Sequence, residues 1–69
     1  MTVGEDRIQL LGSDSTEIIA LKRRVIDLID WCEQQKKNPA NQTERMRMLH
    51  IAQHKFEDAL LWTLKAAAL

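Results

Sequence analysis

The stretch QQKKNPANQTERM, residues 34–46, decides the fold of this 69-residue chain. A residue that precedes proline, here Asn38, is pushed out of the α region, and Pro39 itself has no backbone N–H to donate. Residues on both sides have helical composition, so we expect a first long helix over residues 15–37 and a second over residues 42–69. A connection as short as residues 38–41 folds such helices back as an antiparallel hairpin.

Candidate helix caps support these bounds. Asp14 and Glu17 have the spacing of a capping box, in which the first side chain accepts a backbone N–H and the second reaches back. Asn41 and Glu44 repeat that spacing before the second helix. Residues 1–14 contain two glycines, scattered charges and one short apolar patch, which we interpret as an arm that has no core of its own and docks onto another part of the protein.

Composition limits the class of protein. With 10 basic and 10 acidic residues the net charge is zero, which disfavours a protein that coats DNA or RNA or an acidic membrane. The chain is 45% hydrophobic and has only 2 Gly and 1 Pro, which predicts one small all-α domain. Cys32 is the single cysteine, and we find neither a signal peptide nor a membrane span, so we expect a reducing cytoplasm.

The apolar residues cover more of each helix than one partner helix buries. In the first helix they occupy about half of the circumference, against a stripe of about 100° for a single neighbour. The first helix contributes Ile18, Ile19, Leu21, Val25, Ile26, Leu28, Ile29 and Cys32, and the main stripe of the second contributes Met46, Met48, Leu49, Ala52, Phe56, Ala59, Leu60 and Leu64. Ile51, Trp62 and Leu69 form a separate ridge. These faces, with Trp31, predict a homo-oligomeric bundle.

Two polar residues interrupt the apolar stripes. Lys22 projects near the middle of the first helix's apolar arc, where an ammonium is costly unless it finds an anion or reaches water. We consider two alternatives: Lys22 lies at the edge of an assembly and extends into solvent, or it faces an anion pocket at a subunit boundary. Gln53 lies within the second stripe and requires a hydrogen-bond partner there, a side chain or a backbone carbonyl.

The second helix carries a row of polar residues in one sector: Arg47, His54, Asp58 and Lys65. Such a row is usually a solvated face, although its cations also suit phosphates. His50 and His54 have the i, i+4 spacing of helical metal ligands, and Glu57 or Asp58 can add a carboxylate. Because this is not a defined third ligand, we expect neither a metal nor another cofactor. We find no activated nucleophile or acid/base pair and therefore expect a non-enzyme.

The segment RMLHIAQHKFEDALLWTLKAA, residues 47–67, resembles the C-terminal helix of small phage proteins that sponge cyclic oligonucleotide signals of the bacterial CBASS defence. The same helical hairpin is shared with anti-Thoeris sponges. The family's opening Arg, its Ile-Ala pair, a Thr-like position, a Glu and a closing segment that contains Trp and Lys-Ala all have counterparts here. The segments EIIALK, residues 17–22, and VIDLID, residues 25–30, resemble its first helix.

This resemblance implies a phage-encoded protein of the host cytoplasm that assembles as a compact hexamer of hairpins. It implies that cyclic dinucleotides bind between protomers and cyclic trinucleotides in separate pockets, and that both are sequestered without cleavage. The family's helix lysine falls on Lys22. Its upstream stacking aromatic falls near Arg7, which is a departure, although a guanidinium plane also stacks on a purine.

We therefore expect ligand binding through Lys22 and Arg7, with Arg47, His54 and Lys65 as a second set that faces anions. One alternative is a structural or partner-binding hairpin, an assembly adaptor or inhibitor, that takes no small-molecule ligand. A hairpin that binds RNA or DNA polymers is disfavoured by the neutral charge. A sponge requires Lys22 at a cavity lined by subunits, whereas an adaptor leaves it at the edge of the bundle.

Overall fold

The computed structural model describes residues 1–38, 40 and 42–69 of the chain. It contains three helices, α1 over Val3–Arg7, α2 over Thr16–Lys36 and α3 over Thr43–Ala67. No strand occurs in the described ranges, so the prediction of an all-α fold is confirmed. None of the described helices has the length and apolar character that crossing a membrane requires.

The two long helices pack together as an antiparallel hairpin. A hydrogen bond from Arg45 to Gln35 joins the start of α3 to the end of α2. At the other end of the hairpin, Thr63 and Ala67 line one cavity with residues of the first turns of α2. The predicted hairpin is therefore present, and its helices end within two residues of the predicted bounds.

The two long helices do not begin with the predicted caps. Ser15 caps α2, because its hydroxyl accepts a hydrogen bond from the Ile18 N–H at 3.2 Å. The prediction of Asp14 as the cap was wrong, since its carboxylate accepts from the Leu11 N–H and from a lysine instead. At α3 the N-cap is Gln42, which makes no side-chain cap bond, and the predicted cap Asn41 lies outside the described residues.

The arm contains a helix, α1, that the sequence analysis did not assign. Thr2 accepts a hydrogen bond from the Glu5 N–H, and the Glu5 carboxylate accepts one from the Thr2 N–H, both at 3.2 Å. These reciprocal bonds form a capping box. Thr2 and Glu5 have the same spacing that was noted at Asp14 and Glu17, so the sequence did contain a signal for α1.

The arm completes the core of the hairpin. Ile8 is buried in one apolar cluster with Val25, Ile26, Ile29 and Leu60. The prediction that the arm docks and has no core of its own agrees with this packing. Four half-buried side chains surround the cluster: Leu10, Leu21, Phe56 and Leu64.

Only part of the apolar stripe predicted for α3 is buried in the structure. Leu60 is buried, and Phe56 and Leu64 pack against the core, whereas Met48 and Ala59 are exposed in the single chain. The ridge predicted on another side of the helix is exposed throughout, at Ile51, Trp62 and Leu69. One face of α3 therefore builds the hairpin, and a second apolar face has no partner among the described residues of this chain.

Gly4 lets the arm approach α2 closely, and this contact generates a test. Its N–H donates to Asp30 Oδ1 at 2.7 Å, and a Cβ at this position would lie 2.5 Å from the Ile26 carbonyl oxygen. We predict that Gly4→Ala lowers the free energy of unfolding by about 1–3 kcal/mol, as overpacking does elsewhere. Urea unfolding followed by circular dichroism measures the change.

Gly12→Ala is the matched control, because no atom lies within 4 Å of the Cβ that it adds. We expect its free energy of unfolding to equal or exceed that of the parent protein. If both variants are as stable as the parent, the arm does not dock on α2 through Gly4.

Candidate functional site

A groove of about 400 Å³ lies between the arm and the hairpin, and we call it the arm groove. It brings together Arg7 from the arm and Lys22 from α2, two of the residues predicted to bind ligand. Its walls are mainly apolar. The remaining lining residues are Ile8, Gln9, Glu57, Leu60, Leu61 and Leu64.

Lys22 is buried, with 6% of its surface exposed, and its ammonium is paired within its own chain. Nζ donates to Asp14 Oδ2 at 2.6 Å and to the Gln9 carbonyl oxygen at 3.0 Å. The hydrogen bond from Lys22 and a second from the Leu11 N–H lower the pKa of Asp14. The sequence analysis considered solvent at the edge of an assembly or an anion pocket at a subunit boundary as the surroundings of Lys22. Neither alternative included an anion from the same chain, which is the contact that the structure shows.

Arg7 ties the arm to α3 through a two-point ion pair with Glu57. Arg7 Nε lies 2.5 Å from Glu57 Oε1, and Nη2 lies 3.0 Å from Oε2. This bidentate hydrogen bond raises the pKa of Arg7 and lowers the pKa of Glu57. Half of the Arg7 side chain remains exposed.

The second predicted set, Arg47, His54 and Lys65, is not gathered into one site in the single chain. Arg47 forms an ion pair with Glu44, and Lys65 Nζ lies 4.6 Å from the centre of the Trp62 ring. At 1.5 Å of rise per residue, Arg47 and Lys65 are roughly 27 Å apart along α3. These side chains therefore occupy separate places on one helix surface.

His54 belongs to a chain of polar contacts that leads from α2 to the arm. Its Nε2 lies 3.1 Å from His50 Nε2, and its Nδ1 lies 3.8 Å from Glu57 Oε2. Lys36 Nζ lies 3.4 Å from His50 Nδ1. These residues line a smaller cavity of about 140 Å³ that also contacts Arg7. The contacts therefore connect the histidine pair to the Arg7–Glu57 bridge.

The histidine pair does not form part of a recognisable metal centre. Within residues 1–38, 40 and 42–69 there is no group of three or more His, Cys, Asp or Glu side chains that could hold a metal ion. The Lys36 ammonium beside His50 adds a positive charge at this position.

Gln53 has the partners that its place in the apolar stripe requires. Its side-chain nitrogen donates to the Ile29 carbonyl oxygen at 3.3 Å and to Glu33 Oε2 at 2.8 Å. Its side-chain oxygen accepts from Lys36. The hydrogen bond from Gln53 is the main cause of the lowered pKa of Glu33. The prediction of a side-chain or carbonyl partner for Gln53 is confirmed.

Cys32 lies in the interior of the hairpin, where its thiol is a weak nucleophile. Its surface is 2% exposed, and burial raises the pKa of the thiol. Because the thiolate is the reactive form, a raised pKa and restricted access both lower the reactivity of Cys32.

The sequence analysis missed the two carboxylates that hold the groove cations. Asp14 was assigned to a helix cap, and Glu57 was considered only as a further metal ligand or as a match to the family pattern. The sequence separations of 8 residues for Lys22–Asp14 and 50 residues for Arg7–Glu57 reflect no helical periodicity. These pairs form because the arm packs over the hairpin, which brings Asp14 to Lys22 and Arg7 to Glu57.

Comparisons of this chain with models of protein families, with curated proteins and with solved structures found no match.

The lowered pKa of Asp14 generates a prediction about pH. A carboxyl whose pKa is lower in the folded than in the unfolded state stabilises the fold above its unfolded pKa, and that stabilisation is lost as pH falls through the folded value. We predict that Asp14→Asn has a lower free energy of unfolding than the parent at pH 7. The difference should shrink once the pH falls below about 4, the ordinary range of aspartate.

Urea unfolding of parent and variant between pH 7 and pH 2 measures this difference. Asp27→Asn, at an exposed position on α2, is the control and should leave stability nearly unchanged throughout. A difference for Asp14→Asn that stays constant down to pH 2 contradicts an ionised Asp14 paired with Lys22.

Proposed function

We propose that this protein binds cyclic di- and/or trinucleotide second messengers in the arm groove and sequesters them without cleaving them. One observation carries the proposal: Arg7 and Lys22, distant in sequence, line a single groove with apolar walls. Phosphates and planar bases require such a combination of cations and apolar surface.

Each cation retains capacity for a ligand. A lysine ammonium has three N–H donors, and two of those on Lys22 bond to Asp14 and Gln9. No third acceptor is found among the described residues, and we propose that the remaining N–H donates to a phosphate oxygen. Arg7 uses the edge of its guanidinium for Glu57, and its side chain is half exposed, so we propose that a purine stacks on the plane of the group.

The carboxylates influence the mode of binding. Asp14 and Glu57 hold the two cations in fixed positions, so a ligand does not have to order them. The same carboxylates offset the positive charge that a phosphate meets. Affinity in this groove therefore depends on stacking and apolar contact as much as on charge.

The proposal includes self-association of the hairpins, and the family resemblance implies a homohexamer. It also includes action against CBASS-type signalling in the host cytoplasm. The unpartnered apolar face of α3 supports self-association, because monomers rarely expose large contiguous apolar patches. Arg47, His54 and Lys65 stay a predicted second set that faces anions, although they are spread along α3 in the single chain.

A second candidate function is a partner-binding or structural hairpin that takes no small-molecule ligand. Two observations favour it: the ammonium of Lys22 already has an anion in its own chain, and Trp31 and Trp62 are both more than half exposed. The candidates differ in one measurable property, the affinity for cyclic nucleotides.

Titration calorimetry with a panel of cyclic di- and trinucleotides tests the binding proposal. We expect Lys22→Met, which removes the ammonium and keeps the stem, to weaken binding by about 10- to 100-fold, the range for a hydrogen bond to a charged group. Arg7→Gln should weaken it as well. Circular dichroism must first establish that each variant is folded, because Lys22 also anchors the arm.

Lys37→Met is the matched control, since Lys37 is exposed at the end of α2 and lies outside the lining of the groove. It should bind as the parent does. If no cyclic nucleotide binds the folded parent protein, or if Lys22→Met and Arg7→Gln both bind with parental affinity, the partner-binding candidate replaces the sponge.

Sequestration also predicts the fate of the ligand. Protection by mass action requires a dissociation constant below the working concentration of the signal and roughly stoichiometric protein. Heating or proteolysing the complex should release the cyclic nucleotide intact and still able to activate its effector. Chromatography of the released nucleotide measures this. Linear product formed in proportion to protein concentration, and reduced by His54→Ala or by a chelator, would identify an enzyme instead.

A further inference from the structure

The face of α3 that points away from α2 carries exposed apolar residues with two charges at its centre. We call it the outer face of α3, and on a helical projection it lies opposite the buried Gln53 and Leu60. Trp62 is 64% exposed, Met48 57% and Ile51 38%. Its members are Met48, Ile51, Lys55, Asp58, Trp62, Lys65 and Leu69.

These residues recur at alternating intervals of three and four, which is the spacing of a helix seam that packs against another helix. Met48, Ile51 and Lys55 begin the series, and Asp58 and Trp62 continue it. The two central charges, Lys55 and Asp58, have opposite signs. Ile51 lies one turn before Lys55, and Trp62 lies one turn after Asp58. A partner helix must therefore offer both complementary charge and apolar surface.

A second copy of α3 meets these requirements in one orientation. In an antiparallel pair centred between Phe56 and Glu57, residues equally far from the centre lie opposite each other. Lys55 then faces Asp58 of the second copy, and Ile51 faces Trp62 of the second copy. Two-fold symmetry repeats each contact, so the ion pair and the apolar pair each form twice.

A parallel, in-register pair of α3 helices is disfavoured by Lys55 and Asp58. It places Lys55 against Lys55 and Asp58 against Asp58, and like charges at the centre of an interface are strongly unfavourable. The charge pattern therefore selects the antiparallel arrangement.

We propose that the outer face of α3 is a self-association surface that pairs two copies of this chain antiparallel, with Lys55 opposite Asp58. This inference rests on the self-association included in the proposed function and assigns it a surface and a register. The residues of α3 that line the arm groove, Glu57, Leu60, Leu61 and Leu64, are not members of the outer face, so the pair and the groove use different side chains.

A charge-exchange series tests the register. Lys55→Asp places two carboxylates together and Asp58→Lys places two ammonium groups together, so each single change should raise the dissociation constant of the pair by about tenfold or more. The double variant Lys55→Asp/Asp58→Lys restores opposite charges and should return to within about threefold of the parent. Sedimentation equilibrium measures the constants, and circular dichroism monitors folding.

Asp27→Lys, an equal charge change at an exposed position on α2, is the control and should leave the constant unchanged. Trp62→Ser and Trp31→Ser form a second matched pair, and Trp62→Ser should weaken association more. The proposal is overturned if the single charge changes have no effect, if the double variant associates no better than the weaker single variant, or if only Trp31→Ser has an effect.

If the parent protein sediments as a folded monomer at micromolar concentration, the surface proposal and the self-association fail together. The calorimetric titration with cyclic nucleotides is independent of that result, because the arm groove is formed by one chain. Failure of the interface and failure of ligand binding are therefore distinguishable.

Discussion

The buried ammonium of Lys22 is the constraint on which the arrangement of the first fourteen residues depends. An unpaired charge in the middle of an apolar face is costly, and the loop that precedes α2 removes the cost by folding Asp14 and the Gln9 carbonyl over Nζ. Asp14 is thereby taken from the helix cap, and Ser15 fills that role. With the loop held in place, Ile8 reaches the core.

Three contacts along the arm act together. The Gly4 amide bonds to Asp30, Arg7 pairs with Glu57 on α3, and Lys22 holds the end of the arm. A two-helix hairpin by itself buries little apolar surface, and the arm covers part of the seam that would otherwise be open. The same contacts leave a groove beside Leu60 with two cations in fixed positions. The contacts that hold the arm on the hairpin therefore also form the candidate site, so a change that releases the arm also removes the groove.

The two proposed activities use opposite sides of α3. Glu57 and Leu60 face the arm groove, whereas Asp58 and Trp62, one or two positions further along, face outward. Because 100° separates successive side chains, a helix presents two independent surfaces within one turn. Although the chain carries no net charge, charged side chains are concentrated locally at the groove and at the outer face.

The sequence by itself determined the all-α class and the two long helices with a break between them, because helical periodicity and helix-breaking composition are local. It also singled out Lys22 and Gln53 as polar residues that need partners, and the outer ridge of α3. Only the tertiary structure decided that Lys22 bonds to Asp14 and that Arg7 bonds to Glu57, since these pairs depend on the path of the arm. The short helix α1 lies between the two cases. Thr2 and Glu5 supply the capping-box signal in the sequence. A helix of 5 residues is too short to be stable alone, so α1 is stabilised by packing on α2.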